Sequence, residues 1–78
     1  MENTLGAKLV GLSFNPSQDP KVTKVKELCA ELVNIIHESE ENSAECGTLT
    51  SDRQFLITRA KMNALNASES IVKLLTFK

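Results

Sequence analysis

Residues 19–41, DPKVTKVKELCAELVNIIHESEE, decide the fold. Asp19 is a good N-cap, because its carboxylate can accept from the free amides of a first helical turn. Pro20 follows at the first helical position, where its φ is already set and its missing donor is not needed. From there Val22, Val25, Leu28, Cys29, Leu32, Val33 and Ile36 recur at steps of three and four, which lays an apolar stripe along one side of a helix. The spacing predicts a helix over about 20–41.

Downstream, Asn42 to Thr50 is polar and contains Gly47, so residues 42–50 read as a connection. A second helix is expected from Ser51, capped by Ser51 or Thr50, to about Leu74. Leu56, Ala60, Ala64, Ala67, Ile71 and Leu74 line one seam, and the small alanines at its centre allow another helix to approach closely. Phe55, Met62, Leu65 and Val72 form a neighbouring apolar line, with Phe55 read as core. Upstream, residues 1–18 form an arm broken by Gly6, Gly11 and Pro16, with room for one short helical turn from Leu5 to Val10. The expected fold is all-α: a two-helix antiparallel hairpin over 19–78, preceded by an N-terminal arm and ligand loop over 1–18.

Seventy-eight residues bound the stability of such a fold. A chain this short buries a small fraction of its surface, and small domains make up the difference with disulfides, metals or self-association. Cys29 and Cys46 are read as free thiols in a reducing cytosol, and with His37 they lack the close pairing of a zinc site. Self-association remains, and one of the two apolar lines on the second helix would serve it; the alternative is one broad stripe covered by the N-terminal arm. Leu9-Val10-Gly11-Leu12 is too short to span a bilayer and the first residues lack a basic leader, so a cytoplasmic protein with no membrane partner is expected.

The net charge of −1 conceals an order. Folded as a hairpin, the chain gathers Lys21, Lys24, Lys26, Lys73 and Lys78 at the open end, and Glu38, Glu40, Glu41, Glu45 and Asp52 at the closed end. Lysines in the first turns of a helix oppose its dipole, which favours anions. A phosphate there would reconcile the two; pairing with Glu27, with Glu31 or with carboxylates on another subunit is the competing account. Phe14, in the loop between Ser13 and Asn15, either plugs the core or presents a ring face for a base. On the remaining face of the second helix stand Arg59, Asn63, Asn66, Ser70 and Lys73. Such a face is usually just solvated, but the asparagines are mediocre helix formers, which tips the balance slightly towards a hydrogen-bonding task for them. His37 has no nucleophile or oxyanion donor in any recognisable motif, and no Gly-rich phosphate loop occurs, so no catalytic residues, metal or cofactor are expected.

Gly11-Leu12-Ser13-Phe14-Asn15-Pro16-Ser17, then Pro20-Lys21-Val22 and Val25-Lys26, resembles the opening of a group of small phage proteins, the second anti-CBASS family. These are cyclic-oligonucleotide sponges that share a helical-hairpin domain with a Thoeris-blocking sponge family. The run from Arg53 through Arg59 to Leu75 is similar to the family's arginine-led C-terminal helix. The resemblance implies a homohexamer that sequesters cyclic dinucleotides such as 3′,3′-cyclic GMP-AMP without cleaving them, with cyclic trinucleotides held in a separate pocket. It places Phe14, with Asn15 beside it, at the stacking aromatic, Lys26 at the phosphate-contacting lysine, and Arg53 and Arg59 at the basic positions of the last helix. The chain departs from the family in having Phe for the usual tyrosine, a shorter segment between it and Lys26, and no Trp in the last helix.

The competing reading is a helical adaptor or inhibitor that grips another protein through an exposed apolar face. DNA is not an expected partner, since the acidic block would repel a long polyanion.

Overall fold

The computed structural model describes residues 3–77, so Met1, Glu2 and the Lys78 counted among the open-end cations lie outside the described residues. Three helices follow in order: α1 over Leu5–Val10, α2 over Pro20–Glu45 and α3 over Ser51–Thr76. Among the described residues there is no strand, and no helix is long and apolar enough to cross a membrane.

The caps are those the sequence offers. Asp19 Oδ1 accepts from the Lys21 amide at 2.9 Å, and Pro20 opens α2. Thr50, rather than Ser51, caps α3, its Oγ1 accepting from the Arg53 amide at 3.2 Å. The helix α2 runs four residues past the expected Glu41, and the connection shrinks to 46–50. Polarity alone does not end a helix, and nothing in Asn42-Ser43-Ala44-Glu45 breaks one. Gly47, at φ 71°, turns the chain. The extension also buries Ser43, whose Oγ accepts from Arg53 Nε at 2.6 Å.

The short α1 is held by its fit to α2. Thr4 Oγ1 accepts from the Ala7 amide at 3.2 Å, and Gly11 closes the helix in the left-handed region at φ 65°. Asn34 on α2 reaches both the Gly6 amide (2.7 Å) and Thr4 Oγ1 (3.1 Å).

Val22, Cys29, Ala30 and Val33 of α2, Ile57 and Ala64 of α3, and Ala7 form the buried apolar core. The line along which α3 meets α2 is therefore Ile57, Ala64 and Ser68, not the expected Leu56-to-Leu74 seam. The contact keeps Ala64 of the expected seam but is rotated toward Ile57 and Ser68, and the small Ala64 and Ser68 let the helices approach. Of that seam only Ala64 is buried; Leu56 stays 63% and Leu74 74% exposed. Phe55, expected in the core, is 67% exposed, and Leu28 and Leu32 lie outside as well.

That surface has a definite place. On α2, Ala30 and Asn34 touch α1. Residues two apart on a helix lie about 200° apart around its axis, so Leu28 and Leu32 look the opposite way. On α3, Val72 and Thr76 line a cavity with Val10 of α1, and Leu74, between them in sequence, faces away. One side of the hairpin carries α1; the other carries Leu28, Leu32, Leu56, Ala67, Ile71 and Leu74, all exposed.

Candidate functional site at the open end

The loop between α1 and α2 is built around two side chains. Asn15 Nδ2 donates to the Asp19 carbonyl and to Thr23 Oγ1, both at 2.9 Å, while its Oδ1 accepts from Ser17 Oγ at 2.7 Å. These bonds fold Ser13 to Asp19 against the start of α2. Gln18 adopts φ 57° in this tight course. Asn15 thereby fixes the loop that carries Phe14, with its amide already engaged.

Lys26 is the second. It is 8% exposed, and its ammonium donates to the carbonyls of Gly11, at 3.1 Å, and Phe14. The same Nζ stands 5.5 Å from the centroid of the Phe14 ring, a cation–π distance. Among the described residues no carboxylate lies within ion-pairing distance of it. An ammonium has three donors, and the two carbonyls take two of them. A buried positive charge balanced only by two carbonyl dipoles and one ring face is costly to hold and attracts an anion.

Lys26 also sits between two hollows. One, of about 260 Å3, is lined by Phe14, Asn15, Pro16, Ser17, Val22, Lys26, Val72 and Thr76. The other, of about 380 Å3, is lined by Val10, Lys26, Ser68, Glu69, Val72, Lys73 and Thr76. The first is mainly apolar, with the Phe14 ring at its edge; the second adds a further lysine. Phe14 is 68% exposed, which makes it a presented ring and not a core plug. Lys21, Lys24 and Lys73 are exposed at this end, and among the described residues none has a carboxylate partner, Glu27 and Glu31 included.

Of the residues singled out in the sequence, Phe14, Asn15 and Lys26 come together here. Arg53 and Arg59 do not. Arg53 lies at the closed end on Ser43, and Arg59 is exposed partway along α3. The sequence reading missed Pro16, Val22, Val72 and Thr76 as walls; only the fold could bring the end of α3 beside the loop.

The closed end is a different environment. Glu40 accepts from Lys61 Nζ at 2.7 Å and from Gln54 Nε2 at 2.6 Å. These bonds hold its carboxyl well below the usual carboxylate range, at about 2. His37 lies 3.5 Å from Glu40 through Nδ1 and 3.5 Å from Glu41 through Nε2. That Nδ1 has no hydrogen bond, although the side chain as a whole remains 39% exposed. Among the described residues no cluster of His, Cys, Asp and Glu could hold a metal ion, and Cys29 and Cys46 are free thiols, buried and exposed respectively.

Comparison with protein-family models, with curated proteins and with solved structures found no match for the chain.

Proposed function

We propose that this protein is a sponge for cyclic dinucleotides: it binds them intact at the open end of the hairpin, and so keeps a CBASS effector from being activated. The observation that carries the reading is Lys26. It is a buried ammonium with no carboxylate partner and one donor to spare, standing between two hollows beside an exposed aromatic ring.

A cyclic dinucleotide presents two phosphates and two bases. Lys26 and Lys73 supply charge for phosphate, and the free face of Phe14 supplies a stacking surface for a base. Pro16, Val22 and Val72 offer apolar wall to the sugar and base edges. Asn15 contributes by holding the loop rather than by contact, since its amide group is already bonded. Arg53 and Arg59 lie too far along the molecule to join this site within one subunit, so any role for them falls to another subunit. Affinity would rest on how well Asn15 and Lys26 preorganise the loop.

The test is isothermal titration of the purified protein with 3′,3′-cyclic GMP-AMP, followed by chromatography of the ligand released on denaturation. Submicromolar binding with unaltered ligand supports a sponge. Binding with altered ligand means an enzyme, and no binding of any cyclic di- or trinucleotide removes the reading. In the last case the exposed apolar face opposite α1 favours a partner-binding hairpin.

A further inference from the structure

We infer that two copies of this chain pair antiparallel, face to face, through the side of the hairpin opposite α1, about a two-fold axis that passes close to Asn63. The inference rests on this face and not on the nucleotide reading.

The face on α3 is nearly palindromic. Outward from Asn63 come small residues, Ala60 before and Ala67 after, and then large ones, Leu56 before and Ile71 after. Asn63 and Ala67 are exposed, Ala60 half-buried, and Leu56 and Ile71 are exposed large apolar side chains. A two-fold axis at Asn63 with the helices antiparallel sets Ala60 against Ala67 and Leu56 against Ile71. Small residues at the centre admit the close approach, and large ones flank it.

The register of the hairpin carries the same axis onto α2. Ser43 meets Arg53, and Glu40 meets Gln54 and Lys61, which puts the level of Asn63 beside Leu32 to Ile35. Both are exposed, and the axis sets Leu32 against Ile35. Two helices thus share one centre of symmetry although nothing in a monomer requires it.

Charge selects the antiparallel arrangement. A parallel pair would bring the unpaired Lys21, Lys24 and Lys73 against their own copies, and Glu45 and Asp52 likewise. The antiparallel pair lays the basic end of each subunit along the acidic end of the other. It also gives Asn63 a role: an amide meeting its own copy near the axis makes a reciprocal hydrogen bond and fixes the register, as a lone polar residue does in a helical seam.

The test uses the full chain with Cys46→Ser, single cysteines introduced on this exposed face, and an added oxidant. Asn63→Cys should link to a covalent dimer. Leu56→Cys alone should not, because antiparallel copies of that position stand about 20 Å apart along the axis. Leu56→Cys mixed with Ile71→Cys should give the crossed dimer. Linkage of Leu56→Cys to itself would overturn the orientation, and failure of Asn63→Cys to link would overturn the axis. Light scattering supplies a second measurement: the unaltered protein should contain at least two subunits, and Ala67→Glu, with helicity retained by circular dichroism, should lose this pairing. A monomeric unaltered protein, or an Ala67→Glu protein of unchanged mass, would overturn the proposal.

Discussion

The Gly6 amide donates to Asn34 Oδ1 at 2.7 Å, and a β-carbon placed on Gly6 would lie 2.1 Å from the Ala30 carbonyl oxygen. The glycine is required by how closely α1 lies on α2, since α1 is too short to persist unless docked. Gly6→Ala should therefore destabilise the fold by about 1–3 kcal/mol, the usual cost of overpacking, despite alanine's better helix propensity. Hydrogen exchange should show residues 5–10 losing protection while α2 and α3 keep theirs.

Lys26→Met should separate binding from folding. The Gly11 and Phe14 carbonyls lose a donor, but the bonds of Asn15 to Asp19, Thr23 and Ser17 still hold the loop, so the melting temperature should move little. Loss of a charge-assisted contact to phosphate costs about 1.5–3 kcal/mol, so cyclic dinucleotide affinity should fall by roughly 10- to 150-fold. Titration calorimetry and thermal denaturation of the same samples would check both halves. A large fall in stability with unchanged affinity would make Lys26 a loop clamp only.

Phe14→Ala should leave stability unchanged, because the ring is already mostly in water. Base stacking on an aromatic contributes about 1–3 kcal/mol, so dinucleotide affinity should drop by a comparable amount. Phe55→Ala, equally exposed but near the closed end, is the control that should not affect it.

The closed end sets an acid limit on the fold. Glu40 is held at about 2 against an ordinary 4.5, first by its bond from Lys61 and then by Gln54. A carboxyl with a depressed folded pKa stabilises fully above its unfolded value and loses that contribution as pH falls toward the folded one. Urea midpoints should thus decline as the pH falls from about 4.5 to about 2. In Glu40→Gln the decline should be shallower and stability at neutral pH lower.

How much of this was legible in the sequence follows from what each signal measures. Caps and breakers act locally, so Asp19-Pro20, a cap at Ser51 or Thr50 and a connection containing Gly47 could be read directly. The three-and-four period identified both long helices because it is a property of one helix alone. The partner of each apolar residue was not legible. Periodicity counts Leu56 and Phe55 as apolar, but contact between α2 and α3 selected Ile57, Ala64 and Ser68 and left Leu56 and Phe55 outside. Lys26 was legible as a cation bordering the stripe; its bonds to Gly11 and Phe14 depend on a loop path that no spacing encodes. Arg53 and Arg59 stand apart from it because a single hairpin cannot bring the start or the middle of α3 to its own open end.

The backbone of the described chain measures 47 × 22 × 12 Å, so its thinnest dimension holds only the hairpin and the short α1 laid on one side of it. A body so thin has little interior: among the described residues its buried apolar side chains are Ala7, Val22, Cys29, Ala30, Val33, Ile57 and Ala64. When the layer that would complete such an interior is another copy of the same molecule, stability becomes subject to mass action. The midpoint of thermal unfolding would then rise with protein concentration, and dilution alone would favour the unfolded chain.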